Sequence, residues 1–230
     1  MTDALSALRT VGGEAPWWEA EAQALLRDPP PAGPVALPRP PPCAWLRPGG
    51  RFRGWQRVSH WLPGKGEKWE VEVALHACDW KTGTLCGTMC ATSVPLAELP
   101  VITFFEGEIV DNANASFFTT DWSAGADVDM RHWARFPAFA ALRRDVARHS
   151  GRAPGLAAAG AVFMRWKEKF FVSGGECRLT IAGFYYVALD RATGAIEAFY
   201  FDPASSPDQK MALQPCGGAA GHAFASHDLA

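Results

Sequence analysis

The sequence predicts a mainly β protein, a closed antiparallel barrel of about eight strands with a helical insertion at one end. Three observations carry this. From Trp45 onward short stretches alternate apolar and polar residues with a period of two, as strands with one buried face do. These stretches are separated by turn-forming residues rather than by repeated helices. The one helical pattern is confined to about Asp129–His149. Many short strands with a single helical interruption favour an antiparallel barrel over an α/β fold, and such a barrel closes its sheet edges while leaving a mouth for a ligand.

The strands follow in order. Phe52, Gly54, Gln56 and Val58 alternate with Arg51, Arg53, Trp55 and Arg57. Trp69, Val71, Val73 and Leu75 alternate with Glu70, Glu72 and His76. Leu85, Gly87, Met89 and Ala91 alternate with threonines and with Cys86 and Cys90. Over Val101–Val110, Phe105 and Ile109 oppose Glu106 and Glu108. Further strands are expected over 161–172, 179–189 and 195–202, the last two joined by a hairpin at Asp190–Gly194. In the insertion, Asp127 or Asp129 is the expected cap, and Trp133, Phe136, Ala140 and Leu142 share a stripe. Pro137 should kink the helix or split it in two. His132 and Trp133 read as packing residues where the insertion meets the barrel.

Residues 1–44 differ from the rest. Pro16–Arg27 suits one short helix with proline in its first turn. Eight prolines between Pro29 and Pro42 then make an extended, flexible linker. The barrel is expected over 45–206, and 207–230 reads as a C-terminal tail.

Composition bounds the function. The 230 residues are 48% hydrophobic and 20% charged, with a net charge of -2. That balance gives no reason to expect nucleic acid or an anionic membrane as partner. No apolar run is long enough to span a bilayer, and the first residues show no basic region followed by an apolar core. Six cysteines lack the tight pairing of structural zinc sites and read as reduced intracellular thiols, so no metal or cofactor is expected.

The stretch Ala161–Val172, AVFMRWKEKFFV, carries the sharpest signal. As a strand it places Val162, Met164, Trp166, Glu168 and Phe170 on one face. Phe163, Arg165, Lys167, Lys169 and Phe171 fall on the other. The apolar face thus holds a single carboxylate. An isolated buried charge costs several kcal/mol, so Glu168 needs compensation. An inward Arg or Lys is one source, and a cationic ligand is the other. Taken singly, Gln56, Tyr185 and Tyr200 also read as ordinary core residues with satisfied polar groups.

Six words occur in register: LRPGGRFRG (46–54), TFFEGEIV (103–110), ADVDMRHWARF (126–136), VFMRWKE (162–168), AGFYYVAL (182–189) and IEAFYFDPASS (196–206). Together they resemble the glucose-induced degradation protein 4 family, of the vacuolar import and degradation type. Its members are substrate receptors of the GID/CTLH ubiquitin ligase complex. The resemblance implies a calycin-like closed barrel with helices inserted at one end. Its open end would bind the free N-terminus of a substrate, with N-terminal proline preferred (the Pro/N-degron). It also implies docking to an armadillo-repeat scaffold subunit, no chemistry by the receptor itself, and a cytoplasmic or nuclear location.

Carried across by position, the carboxylate that receives the substrate amine falls on Glu168. The phenol beside it falls on Tyr185, and the amide that fixes the ligand backbone falls on Gln56. The apolar wall falls on Val71, Met89, Ala91, Val94, Val101, Ile181 and Tyr200, with Thr180 near the rim. Ala91, Val94, Val101 and Ile181 are smaller than the residues expected there, which implies a wider pocket. The tail offers Phe224 and Leu229 as bulky candidates for the scaffold anchor. Two other classes compete with the receptor reading. One is a small-molecule carrier barrel, in which Glu168 neutralises an amine. The other is an enzyme, for which Tyr185 is the one second group the sequence offers.

Overall fold

A computed structural model describes residues 37–59, 66–94, 97, 99–120, 122–172 and 181–216, with the side chains of 59, 66 and 205–208 excepted. The expected helix over 16–27, Thr180, Phe224 and Leu229 lie outside these residues. Eight strands form a closed barrel in which each pairs antiparallel with its sequence neighbours and the last pairs with the first. They are β1 (Arg51–Ser59), β2 (Gly66–Asp79), β3 (Thr84–Thr92), β4 (Val101–Ile109), β5 (Ala161–Phe171), β6 (Phe184–Asp190), β7 (Ile196–Asp202) and β8 (Ser205–Pro215).

The interior is set by the alternation seen in the sequence. Phe52, Val71, Val73, Leu75, Met89, Phe105, Met164, Trp166, Tyr185 and Val187 share one buried cluster with Met211 and Leu213 of β8. β8 is the main departure from the sequence reading, because the boundary at 206 falls inside this closing strand. Its apolar residues Met211, Ala212 and Leu213 sit among Pro, Asp, Gln and Lys, which obscured the alternation.

The insertion between β4 and β5 folds as α1 (Ala126–Trp133), a 3-10 turn over Pro137–Phe139, α2 (Arg143–Arg148) and a second 3-10 turn over Pro154–Ala158. Pro137 opens the first 3-10 turn, so the expected split of the helix is realised. Neither aspartate caps α1. Its N-cap is Gly125, and Asp129 is instead buried, accepting hydrogen bonds from the Thr119 backbone N–H at 2.7 Å and the Tyr186 hydroxyl at 2.7 Å. Ala140 is exposed, and Phe139 takes the inward place beside Trp133, Phe136 and Leu142.

This insertion packs on the outer face of β5–β7, covering Phe163, Tyr186 and Phe199. β5 and β6 are therefore buried on both faces over most of their length. Arg165 points outward into this second core and is satisfied there by Glu108, by the Phe117 carbonyl at 3.1 Å and by the Ser116 carbonyl at 2.7 Å. His132 stacks on Tyr186 with ring centroids 4.6 Å apart, a packing role.

The end of the barrel near the β2–β3 and β6–β7 hairpins is closed. Cys43, Trp45 and Leu46 pack against the interior cluster. Trp45 donates its indole N–H to the Arg191 carbonyl at 3.1 Å. Gly194, at φ +75°, makes room for it, since a Cβ there would lie 2.6 Å from the indole. The chain is held even before residue 45, contrary to the flexible linker expected up to 44. Arg39 bonds the Trp80 carbonyl at 2.7 Å and pairs with Asp111 at 2.5 Å, while Asn112 and Arg191 bond the Pro38 and Pro41 carbonyls at 3.0 and 3.1 Å. Prolines supply such acceptors without a donor to satisfy, which suits a strap laid across a finished barrel. No helix among the described residues is long and apolar enough to cross a membrane.

Candidate functional site: a buried carboxylate beneath an apolar collar

Glu168 lies near the end of β5, opposite Phe105 of β4, and its side chain faces the interior with 9% of its surface exposed. Thr103, one interior position earlier on β4, donates its hydroxyl to Glu168 Oε1 at 2.5 Å. Among the described residues Glu168 makes no ion pair. Burial raises its carboxyl above the ordinary range, and the Thr103 hydrogen bond and the Lys167 charge pull less strongly the other way. The neighbouring cation is turned outward: Lys167 Nζ bonds the carbonyls of Ile181 at 2.9 Å and Gly183 at 2.7 Å, and that of Ala182 between them.

Beside the carboxylate runs a chain of polar side chains. The Tyr185 hydroxyl donates to Gln56 Oε1 at 3.3 Å, and Gln56 Nε2 donates to Gln209 Oε1 at 2.7 Å. Burial, and then the Glu168 charge, push the Tyr185 hydroxyl well above its usual pKa, so it remains a donor at any physiological pH. The Tyr185 and Tyr200 rings pack with centroids 4.9 Å apart. The Tyr200 hydroxyl accepts the Gly183 N–H at 2.8 Å and is pushed up to about 12 by burial. Gly183 is required here, because a Cβ would stand 2.1 Å from the Phe201 carbonyl oxygen and 2.6 Å from Tyr200 Cζ.

These side chains lie toward the end of the barrel opposite the strap. Val94 and Val101 join Val58 and Trp69 in a third apolar cluster, with Ala91, Ala97 and Phe171 packed against it. Val71, Met89 and Tyr200 line the central core below, and Ile181 is half-buried. The structure thus brings Glu168, Tyr185 and Gln56 into one interior, under an apolar collar.

One expectation on β5 is corrected. A bulge between Glu168 and Phe170 puts Phe105 opposite Glu168 but Phe104 opposite Phe170. The extra residue, Lys169, reverses the alternation. Phe170 therefore points outward, 52% exposed and stacked on Phe104, while Phe171 turns in to the collar.

Residues 45–216 match the family model described as vacuolar import and degradation protein. The chain belongs to that family. It is 32% identical over 169 residues to the glucose-induced degradation protein 4 homolog of Mus musculus, covering 72% of this chain and 75% of the relative. Two relatives from Schizosaccharomyces pombe are named as substrate-recognition subunits of the GID complex. Subunit 10 is 31% identical over 180 residues, covering 70% of this chain and 32% of the relative. Subunit 4 is 26% identical over 185 residues, covering 75% and 91%.

The family match runs through β8, so it includes a candidate site residue that sequence reasoning passed over. In the sequence Gln209 reads as part of a tail, although it pairs with Tyr200 and Val58 in the barrel. Thr103 was also missed. It sits at the start of TFFEGEIV, and its parity with the inward Phe105 and Ile109 was the available signal.

Proposed function

We propose that this vacuolar import and degradation family protein is the substrate receptor of a multisubunit ubiquitin ligase. The barrel takes the free N-terminus of a target protein, N-terminal proline by preference, and presents the target for ubiquitination and proteasomal degradation. The receptor itself performs no chemistry, and it joins the ligase through an armadillo-repeat scaffold subunit. The observation that carries this reading is Glu168. It is an interior carboxylate with no ion pair among the described residues, set under an apolar collar in a family whose relatives are named as substrate-recognition subunits.

An N-terminal proline brings the missing partner, a protonated secondary amine on a compact apolar ring. Glu168 receives the amine through a charge-assisted hydrogen bond. Thr103 fixes one carboxylate oxygen and leaves the other lone pairs for the ligand. Tyr185 stands beside the amine, and Gln56 offers an amide to the first peptide group. Val71, Met89 and Tyr200 surround the ring. Acetylating the N-terminus removes the charge and leaves Glu168 buried and unpaired.

Replacing Glu168 tests the assignment. Losing one partner of a desolvated charge pair costs about 2–5 kcal/mol, so Glu168→Ala should weaken binding of a peptide starting Pro-Gly by roughly 30-fold to several-thousand-fold. Near-normal affinity in that protein would remove Glu168 from the site.

A further inference from the structure

Two tryptophans at inward positions of the barrel carry a buried indole N–H with no hydrogen-bond partner among the described residues, Nε1 of Trp166 and Nε1 of Trp69. An unsatisfied buried donor costs about 1–3 kcal/mol, so a partner that arrives from outside is a physical reason to keep one. Trp166 is sealed. It is fully buried, stacked on Phe105 with centroids 4.8 Å apart, and so close to Gly107 that a Cβ there would stand 2.8 Å from its ring.

Trp69 is placed differently. It faces inward from β2 opposite Gln56 of β1, and it is 8% exposed. The next interior residue of β2 toward the closed end is Val71, and its partner Ala91 is one residue short of the end of β3. Trp69 therefore belongs to the collar at the end opposite the strap, with Val58, Val94, Val101 and Phe171. Every other member of that described apolar cluster is hydrocarbon. A chain whose amine rests on Glu168 must leave through the collar, and its carbonyls lose water there. Among these side chains the Trp69 indole N–H is the single donor available to them.

We infer that Trp69 is a specificity-determining residue that donates its indole N–H to a backbone carbonyl of the bound chain beyond its first residue. The inference rests on the N-terminal reading proposed above and deepens it. Because a main-chain carbonyl is common to every residue type, the contact selects for a continuing peptide while leaving the side chains after the first residue open. The pocket thereby distinguishes a protein terminus from a free proline-like amine.

The test compares two ligands, prolinamide and a tetrapeptide amide starting Pro-Gly, against the full chain and its Trp69→Phe variant. Phenylalanine keeps an aromatic wall and removes only the N–H. Titrations followed by nitrogen-15 NMR of the indole groups read both affinities. The expected result is a loss of about three- to tenfold for the tetrapeptide, as for one hydrogen bond, with prolinamide unchanged. The indole resonance missing from the Trp69→Phe spectrum should move downfield with the tetrapeptide and stay in place with prolinamide. Equal losses for both ligands would reduce Trp69 to a wall residue and overturn the inference, as would an unchanged tetrapeptide affinity. Wild-type protein that binds neither ligand overturns the N-terminal reading itself, an outcome distinct from either of these.

Discussion

Burial holds the Glu168 carboxyl above its ordinary pKa, and this has opposite consequences for folding and for binding. Below the usual carboxylate range both folded and unfolded chains carry the proton. As pH rises through the higher folded value, the native protein must ionise a buried group that the unfolded chain ionised earlier, and that contribution to stability is lost. Glu168→Gln should therefore melt higher than the wild type at neutral pH, by roughly 2–4 °C per kcal/mol recovered, and the gap should close in acid. The same variant should lose the N-terminal ligand, and wild-type affinity should fall as acid protonates Glu168. Thermal melts and titrations across pH check both. Tyr185→Phe should cost less, about 0.5–1.5 kcal/mol of binding, because it removes one hydrogen bond and keeps the ring. Glu168 was legible because strand alternation isolates it among apolar residues. Thr103 and Gln209 were not, since a threonine or glutamine in a strand has many ordinary uses, and only the closed geometry shows which carboxylate or amide it meets.

Strand alternation predicted the inward faces of β1 to β4 correctly because these strands have one wet face and one buried face. It failed on β5 at the bulge, where one extra residue exchanges Phe170 for Phe171. A bulge leaves no mark in composition, so the sequence could not place it. The turn before β6 holds a second feature of this kind. Gly183 lets the backbone approach Phe201 and Tyr200, and its N–H fixes the Tyr200 hydroxyl. Gly183→Ala should destabilise the protein by about 1–3 kcal/mol as an overpacked site does, and it should also weaken peptide binding by displacing Tyr200. Denaturant melts and peptide titrations on the same variant check the two effects. A stability loss with full peptide affinity would separate Tyr200 from the site.

At the largest scale the two ends of the described barrel are built differently. The end nearest the insertion is sealed by Trp45, Leu46 and the strap from residue 37, while the interior polar groups lie toward the other end. The family words pointed to the barrel, yet the strap was hidden in a proline-rich stretch whose composition reads as a linker, and β8 in one that reads as a tail. Arg39→Ala should lower stability modestly, about 1 kcal/mol, because its side chain is 39% exposed even though Asp111 is 3% exposed. Peptide affinity should stay within about twofold, as expected for a distant site. The central claim is that this barrel reads a charged N-terminus, and calorimetry tests it most directly, with one short peptide starting Pro-Gly beside the same peptide N-acetylated. Binding of the free-amine form alone is the predicted result. Equal binding of both forms would contradict it, because the amine would then not be what Glu168 receives.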